Sequence, residues 1–269
     1  MRRLILSFAL ALSFFFLTPY SRAGDLKPVG SIGLPALGYK PGDGAVVRFY
    51  GPYLMIAFER TRAVHVFDQE TRQLIPAERL SGVVLPSPWA SNKREGNVVS
   101  RWKQMFIEMI VTQSATGPDD EKYFLSEPGK EPVLLFHGRC PAGLPEFVGD
   151  DRILIHLCNG KNVVVNKKGE QVYALPKLSD AYVIPNHNGT RFVTYERIAS
   201  FLCLVCETEK LRVKVFRSAD GKKLFEYQWR LSDAPDSISP GRVALSDDGA
   251  LVALIRGEEV LVFAIVTGK

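Results

Sequence analysis

The chain has 269 residues, with 34 Lys and Arg against 29 Asp and Glu, a formal net charge of +5 and 46% hydrophobic residues. This length suffices for one large domain with a full core, and no long linker, charge block or low-complexity stretch divides it. Its 17 prolines and 22 glycines are spread along the chain, which is typical of many short strands joined by turns.

The N-terminus has the three parts of a secretory signal peptide. Arg2 and Arg3 precede an apolar run over residues 4–17, and small residues flank Arg22 before a predicted cleavage after Ala23. The run is shorter than the roughly 20 residues of a membrane span, so no stable span is expected after cleavage, although an uncleaved anchor is the alternative. We therefore predict a signal peptide over residues 1–23 and a secreted or periplasmic domain over residues 24–269.

Cleavage also changes the charge of the protein. Arg2, Arg3 and Arg22 leave with the peptide and no acidic residue does, so the mature chain is close to neutral. A basic surface is the usual electrostatic footprint of nucleic-acid binding. With that excess gone, no nucleic-acid partner is expected.

The rest of the chain reads as groups of short apolar runs separated by turns that contain Gly, Asp or Asn. In the run over residues 211–216, apolar and basic residues alternate, which predicts a strand with one buried and one solvated face. In the last group, the turn over residues 246–249 and Gly257 separate three predicted strands, and the chain ends where a fourth would begin. The groups span residues 46–75, 105–136, 147–175, 182–227 and 242–265.

The turn before the last strand of each group supplies a marker for a repeat. These markers recur at intervals of 40 to 57 residues, and about four strands per interval favour a propeller. A β-sandwich or another β-rich solenoid is the alternative. The markers are Arg72, which departs from the Gly pattern, and Gly129, Gly169, Gly221 and Gly268.

The turn motifs resemble those of WD40 and YVTN/quinoprotein-like β-propeller repeats. Residues 246–249, Ser-Asp-Asp-Gly, stand for the turn before the second strand of a blade, and residues 266–269, Val-Thr-Gly-Lys, for the turn before the fourth. The chain has no Trp-Asp dipeptide, so it departs from standard WD40 repeats. In such propellers an N-terminal strand commonly closes the ring, which implies that residues 27–34, with Val29 and Ile32, complete the last blade.

The predicted fold is therefore all-β: a β-propeller of about five four-stranded blades, with its ring closed by an N-terminal strand. A sixth short blade within residues 80–99 is the alternative count. The turn motifs define a fold and leave the function open.

Four cysteines in an exported chain suggest disulfide bonds. Cys140 and Cys158 are placed symmetrically about the turn at residues 149–151, so we predict that they face each other across a hairpin and form a disulfide. Cys203 and Cys206 have a Cys-x-x-Cys spacing with apolar flanks, and either a small-ring disulfide or two buried free thiols fits that context.

No phosphate loop, Gly-x-Ser-x-Gly elbow or His-Glu-x-x-His motif is present, so the sequence assigns no catalytic residue, metal ligand or cofactor. The segment around residues 198–210 interrupts its repeat with an apolar insertion, a predicted contact surface for a protein partner or small ligand. We therefore expect a non-catalytic binding scaffold. The alternative is a hydrolase, lactonase or quinone-dependent dehydrogenase, with residues such as His65, Glu108, His137, Asp150 and His156 meeting at the central axis. The insertion contains Ile198, Phe201, Leu202, Leu204 and Val205.

Overall fold

The computed structural model describes residues 28–80, 85, 105–112, 120–138, 145–157, 160–176, 178, 182–198, 210–230 and 240–265. Within them the chain forms eighteen strands in five antiparallel sheets and three short 3-10 turns, at Pro35–Leu37, Ala77–Leu80 and Pro240–Arg242. The prediction of an all-β chain is confirmed. In this described part, no helix is long and apolar enough to cross a membrane.

The first three sheets follow the chain in order. Sheet 1 contains β2 (Ala45–Tyr50), β3 (Tyr53–Phe58) and β4 (Val64–Asp68), and an isolated bridge joins Phe67 to Leu74. Sheet 2 contains β5 (Phe106–Thr112), β6 (Asp120–Ser126) and β7 (Val133–Gly138). Sheet 3 contains β8 (Glu146–Gly149), β9 (Arg152–His156), β10 (Asn162–Val165) and β11 (Gln171–Leu175).

The last two sheets have four strands each, and sheet 5 takes one strand from the other end of the chain. Sheet 4 contains β12 (Tyr182–Pro185), β13 (Arg191–Ile198), β14 (Lys210–Arg217) and β15 (Lys223–Arg230). Sheet 5 contains β16 (Val243–Leu245), β17 (Leu251–Arg256), β18 (Glu259–Ala264) and β1 (Gly30–Gly33).

The predicted pairing of the N-terminal segment with the last sheet is confirmed. β1 runs antiparallel to β18, with Ile32 opposite Val260, and the N–H of Val29 donates to the carbonyl of Val262 at 2.8 Å. This strand occupies the position at which the last repeat lacks a fourth strand, so it removes an open edge from sheet 5.

Four hydrophobic clusters connect the sheets in one sequence. They lie between sheets 2 and 3, 3 and 4, 4 and 5, and 5 and 1. None of the clusters formed by the described residues joins sheets 1 and 2. On sheet 2, Phe106, Ile110 and Leu134 lie on the face opposite the cluster with sheet 3 and are 40%, 51% and 45% exposed. The described part of the chain therefore forms a row of five sheets and does not show a closed ring.

Close approaches between sheets depend on glycine at the predicted turn markers. A Cβ on Gly169 (φ +79°) would lie 2.4 Å from the carbonyl oxygen of Leu134 in β7, and one on Gly221 (φ +70°) would lie 2.5 Å from the ring of Tyr173 in β11. Arg72, the marker that departs from the Gly pattern, has a φ of 59° and approaches β1 at Gly30. The turn before the last strand of these sheets thus lies against the last strand of the preceding sheet.

This pattern corrects the strand count of the second repeat. Because the Gly169 turn contacts β7 as the Gly221 turn contacts β11, β7 holds the outer position of sheet 2. The described strands of sheet 2 therefore correspond to the second to fourth strands of a repeat, whereas the sequence pattern suggested that residues 105–111 begin it. Sheets 1 and 2 each show three strands in the described residues instead of the predicted four.

Hydrogen bonds at the turns also join the sheets, at the end where their first strands finish. The N–H of Gly51 donates to Asp247 Oδ2 at 2.8 Å, which joins sheet 1 to sheet 5. Asn186 Nδ2 donates to the carbonyl of Asp247 at 3.0 Å, and Ser218 Oγ donates to the carbonyl of Val148 at 2.6 Å. Sheets 3, 4, 5 and 1 therefore share one polar network at this end.

Candidate functional site

Sheet 4 projects beyond its neighbour at the end where the apolar insertion is attached. β13 and β14 have eight residues each, whereas β9 and β10 of sheet 3 have five and four. The other ends of the two sheets are level, because Gly149 lies against the carbonyl of Gly189. Sheet 4 thus extends by about three residues, or about 10 Å at the usual strand rise.

We call this part the sheet 4 extension, formed by residues 196–198, 210–212 and 228–230. Its register is regular: Glu196 pairs with Arg212, and Ile198 pairs with Lys210. The extension therefore holds the two ends of the segment over residues 199–209 side by side. Of the predicted contact residues, only Ile198 is described, half-buried at the end of β13. Phe201, Leu202, Leu204 and Val205 lie outside the described residues, so their part in a contact stays a prediction.

A buried ionic cluster lies at the root of the extension, on the face of sheet 4 that is turned toward sheet 3. The Glu196 side chain is only 1% exposed, and its Oε1 accepts hydrogen bonds from Arg212 Nε at 2.6 Å and from Lys214 Nζ at 2.8 Å. Lys214 is 8% exposed, and Arg212 is half-buried. Two cations thus share one buried carboxylate, with cross-strand pairing that fixes all three side chains.

The cluster continues to β15 through Glu226. Burial alone would raise the pKa of Glu226, but the hydrogen bond from Lys223 and the charges of Lys214 and Arg212 hold that pKa below its usual value. Arg212 Nη1 lies 3.9 Å from Glu226 Oε1, and Lys223 Nζ lies 2.5 Å from Oε2. Ionic contacts therefore connect β13, β14 and β15 across the sheet.

This cluster corrects the prediction for residues 211–216. The alternation of apolar and basic residues was expected to give one solvated face, but Lys214 is buried and Arg212 half-buried. The basic face is turned toward sheet 3, and Glu196 on the neighbouring strand supplies the buried counter-charge that offsets the burial of Lys214. An alternating pattern shows which side chains share a face, but not what lies opposite them.

The residues of the catalytic alternative lie on different sheets, and in the described part of the chain no three His, Cys, Asp or Glu side chains are placed to hold a metal ion. His137 pairs with Asp120 at 2.9 Å on an exposed surface. His156 Nδ1 lies 2.8 Å from Asn162 Oδ1, and burial lowers its pKa despite that hydrogen bond. His65 lies in sheet 1, Glu108 and His137 in sheet 2, His156 in sheet 3, and Asp150 in the turn between β8 and β9.

The structure does not test the predictions for the cysteines. Cys140, Cys158, Cys203 and Cys206 all lie outside the described residues. The hairpin that should bring the first two together does form, with Phe147 of β8 opposite Ile153 of β9. The Cys140–Cys158 disulfide therefore stays a prediction, and both alternatives for Cys203 and Cys206, a small-ring disulfide or two free thiols, stay open.

Comparison with known proteins does not assign a family. No protein-family model matches the sequence, and no curated protein is significantly similar to it. Among solved structures, Kluyveromyces lactis Hsv2 is 17% identical, with a TM-score of 0.38 over 81% of this chain and 60% of that one. The β-propeller domain of the Trilobed protease from Pyrococcus furiosus is 10% identical, with a TM-score of 0.37 over 83% of this chain and 86% of that one.

A third similar structure is the acylaminoacyl peptidase from Pyrococcus horikoshii, 11% identical with a TM-score of 0.41 over 61% of this chain and 31% of that one. The chain spans about 60% of the length of the Hsv2 structures that it matches. Similarities with TM-scores below 0.5 do not define a fold, so the architecture rests on the packing of the sheets described above.

Proposed function

We propose that this chain is an exported five-bladed β-propeller that acts as a non-catalytic binding scaffold, and that the segment over residues 199–209 contacts a protein partner. The observation that supports this proposal most directly is the sheet 4 extension. It carries an apolar insertion on strands that project about 10 Å beyond sheet 3, and a buried ionic cluster stabilises its root.

The five-bladed ring is supported by the order of the sheets. Four consecutive interfaces are filled by apolar clusters, and the remaining pair, sheets 1 and 2, has apolar side chains on the faces that a ring would bring together. On sheet 2 these include the exposed side chains of Phe106 and Ile110, and on sheet 1 they include Met55 and Val66, which are already buried. Ring closure would bury the exposed part of this surface.

A rigid base is what an interaction segment requires. Because Ile198 and Lys210 are paired in register, the segment begins and ends at fixed positions, and less conformational freedom is lost when it binds. The apolar residues Phe201, Leu202 and Leu204 would supply the contact surface. Of these, Phe belongs to the residue types that are enriched at interfaces.

The test is a replacement of residues 199–209 by Asn-Gly, a two-residue turn that suits the paired ends. Wild-type and replaced proteins are expressed with their native leader, cross-linked in the export compartment of the source cells and compared by quantitative mass spectrometry. We expect one protein to be cross-linked to residues 199–209 of the wild type and lost in the replacement. Equal cross-linking of both proteins to every partner would contradict the role of the segment.

Two further measurements complete the test. The variant Leu202→Ser with Leu204→Ser keeps the length of the segment and should lose the same partner, because only the apolar contact is removed. Export is checked separately by the mass and the N-terminal sequence of the mature protein. If the signal peptide is removed, the mature chain should begin at Gly24. A mature chain that retains residues 1–23 would contradict the cleavage.

A further inference from the structure

Three buried hydrogen-bond donors, two in sheet 4 and one in the turn that precedes β16 of sheet 5, have no acceptor among the described residues. They are Arg242 Nη1, Tyr195 OH and Trp229 Nε1. The three residues are 6%, 0% and 6% exposed. The rings of Tyr195 and Trp229 are nearly parallel, with centroids 6.1 Å apart. An interior that holds donors without acceptors is suited to a group that only accepts hydrogen bonds.

Arg242 lies where the first strands of the repeats begin. It is the last residue of the 3-10 turn Pro240–Arg242, which packs against β2 and β12. A Cβ on the neighbouring Gly241 would lie 2.5 Å from Val46, so this turn fits closely against sheet 1. Tyr195 is paired with Tyr182, the first residue of β12. The turn that carries Arg242 therefore lies beside β2 and β12, the first strands of sheets 1 and 4.

The charge of Arg242 reaches Tyr195. Burial raises the pKa of Tyr195 to about 12, and the positive charge of Arg242 acts in the opposite direction. The phenol thus keeps its proton at neutral pH and remains a donor. Both groups present hydrogen atoms to their surroundings, and the guanidinium adds a permanent positive charge.

A buried guanidinium without a counter-charge is strongly unfavourable. The buried ammonium of Lys214, by contrast, has the carboxylate of Glu196 at 2.8 Å. No ion pair involves Arg242 in the part of the chain that the structure describes. We propose that Arg242 anchors a binding site for a small organic carboxylate, which accepts hydrogen bonds from the guanidinium and from the hydroxyl of Tyr195.

A carboxylate fits this site better than a phosphate. One guanidinium balances one negative charge, whereas phosphate carries more than one at neutral pH. The two oxygens of a carboxylate also match the planar donor pair of an arginine. The surroundings are the apolar cluster between sheets 4 and 5, with Trp229 and Tyr182 beside Tyr195, and they suit the organic part of such a ligand. This site is independent of the segment over residues 199–209.

The test measures the thermal unfolding of the full mature protein in sodium benzoate, sodium butyrate or sodium phosphate at one ionic strength. A carboxylate that binds only the folded state raises Tm by about 5–10 °C at a hundred times its Kd. We expect this rise with benzoate or butyrate and little with phosphate. Calorimetric titration should show that Arg242→Gln weakens carboxylate binding at least about tenfold, since a charged hydrogen bond is lost.

Arg256→Gln is the matched control. Arg256 also lies in sheet 5, but its Nη1 donates to Tyr227 OH at 2.8 Å and its Nη2 lies 3.6 Å from Glu259, so this variant should bind carboxylate as the wild type does. Tyr195→Phe keeps the ring and removes only the hydroxyl. It should weaken binding about three- to tenfold, and it tests the site even if Arg242→Gln does not fold.

Two results would overturn the proposal. One is a wild-type Tm that does not respond to either carboxylate beyond the response to phosphate. The other concerns Asp233 and Asp236, which precede the turn in sequence and lie outside the described residues. If carboxylate binds only after Asp233→Asn and Asp236→Asn, the counter-charge of Arg242 belongs to the chain itself. The variant in which residues 199–209 are replaced should lose the protein partner and still bind carboxylate. That result would show that this site is separate from the proposed function.

Discussion

Glu196 is the residue whose removal tests the buried ionic cluster most directly. Its carboxylate is 1% exposed and accepts hydrogen bonds from Arg212 at 2.6 Å and Lys214 at 2.8 Å. The substitution Glu196→Gln keeps the shape of the side chain and one oxygen acceptor, but it removes the negative charge. Lys214 then stays buried without its counter-charge.

Removal of one partner from a buried pair costs about 3–5 kcal/mol, because the remaining charge is still desolvated. We take the lower half of this range, since Arg212 is one-quarter exposed and lies 3.9 Å from Glu226. For a domain of this size, each kcal/mol corresponds to about 2–4 °C in Tm. The expected effect of Glu196→Gln is thus a fall in Tm of about 10 °C.

The free energy of unfolding is measured by urea denaturation followed by circular dichroism, with calorimetry for Tm. Lys130→Met is the control: the Lys130–Glu127 pair is 2.5 Å long, but Lys130 is 69% exposed, so its loss should cost less than about 1 kcal/mol. Lys214→Met in the Glu196→Gln background should recover most of the stability. The reasoning is refuted if Glu196→Gln costs no more than Lys130→Met, or if adding Lys214→Met lowers stability further.

Three further predictions concern the packing of the sheets. Gly169→Ala should lower the free energy of unfolding, measured by urea titration, by several kcal/mol, because its Cβ would lie 2.4 Å from a carbonyl oxygen. Gly129 has a similar φ and nothing within 4 Å of its Cβ position, so Gly129→Ala should cost only about 1 kcal/mol. Equal losses in the two variants would contradict this. Burial lowers the pKa of His156 below 6.5. The stability that neutral His156 contributes is therefore full above pH 6.5 and is lost as the pH falls through the lowered folded pKa. Urea midpoints measured over a pH series should show this loss in the wild type and not in His156→Gln. Ile32→Ala should cost about 2–4 kcal/mol because the side chain is buried against sheet 1, and a loss below about 1 kcal/mol would show that β1 contributes little.

Local chemistry made most of the strands predictable. The turn at Gly249, with φ +73°, and the turn at Gly257, with φ +56°, separate β16, β17 and β18 close to the predicted positions. Glycine adopts these angles without strain, so the sequence position of the turn is also its structural position. At Arg72, the predicted marker that departs from the Gly pattern, the same left-handed angle is held by a residue with a Cβ.

The pairing of strands that are distant in sequence was predictable where the sequence showed a sheet edge without its last strand. The last group lacked a fourth strand, and residues 27–34 offered one, so the pairing of β1 with β18 followed from the unpaired backbone of an edge. The outer position of β7 also followed from a local pattern, because Gly129 marks the turn before the last strand of its group. No pattern within either segment records the close approach of Gly169 to Leu134, which places the turn of sheet 3 against β7.

The sequence by itself determined the all-β class, the turn positions and the N-terminal strand, because backbone conformation and alternating burial are encoded within a few neighbouring residues. Only the tertiary structure decided which charges are buried together. Glu196 and Lys214 are 18 positions apart and meet through the register of β13 and β14. Tyr195 lies in β13, whereas Arg242 lies in the turn before β16. Whether a buried charged side chain has a counter-charge depends on which residues pack opposite it. The residue type alone does not specify those neighbours.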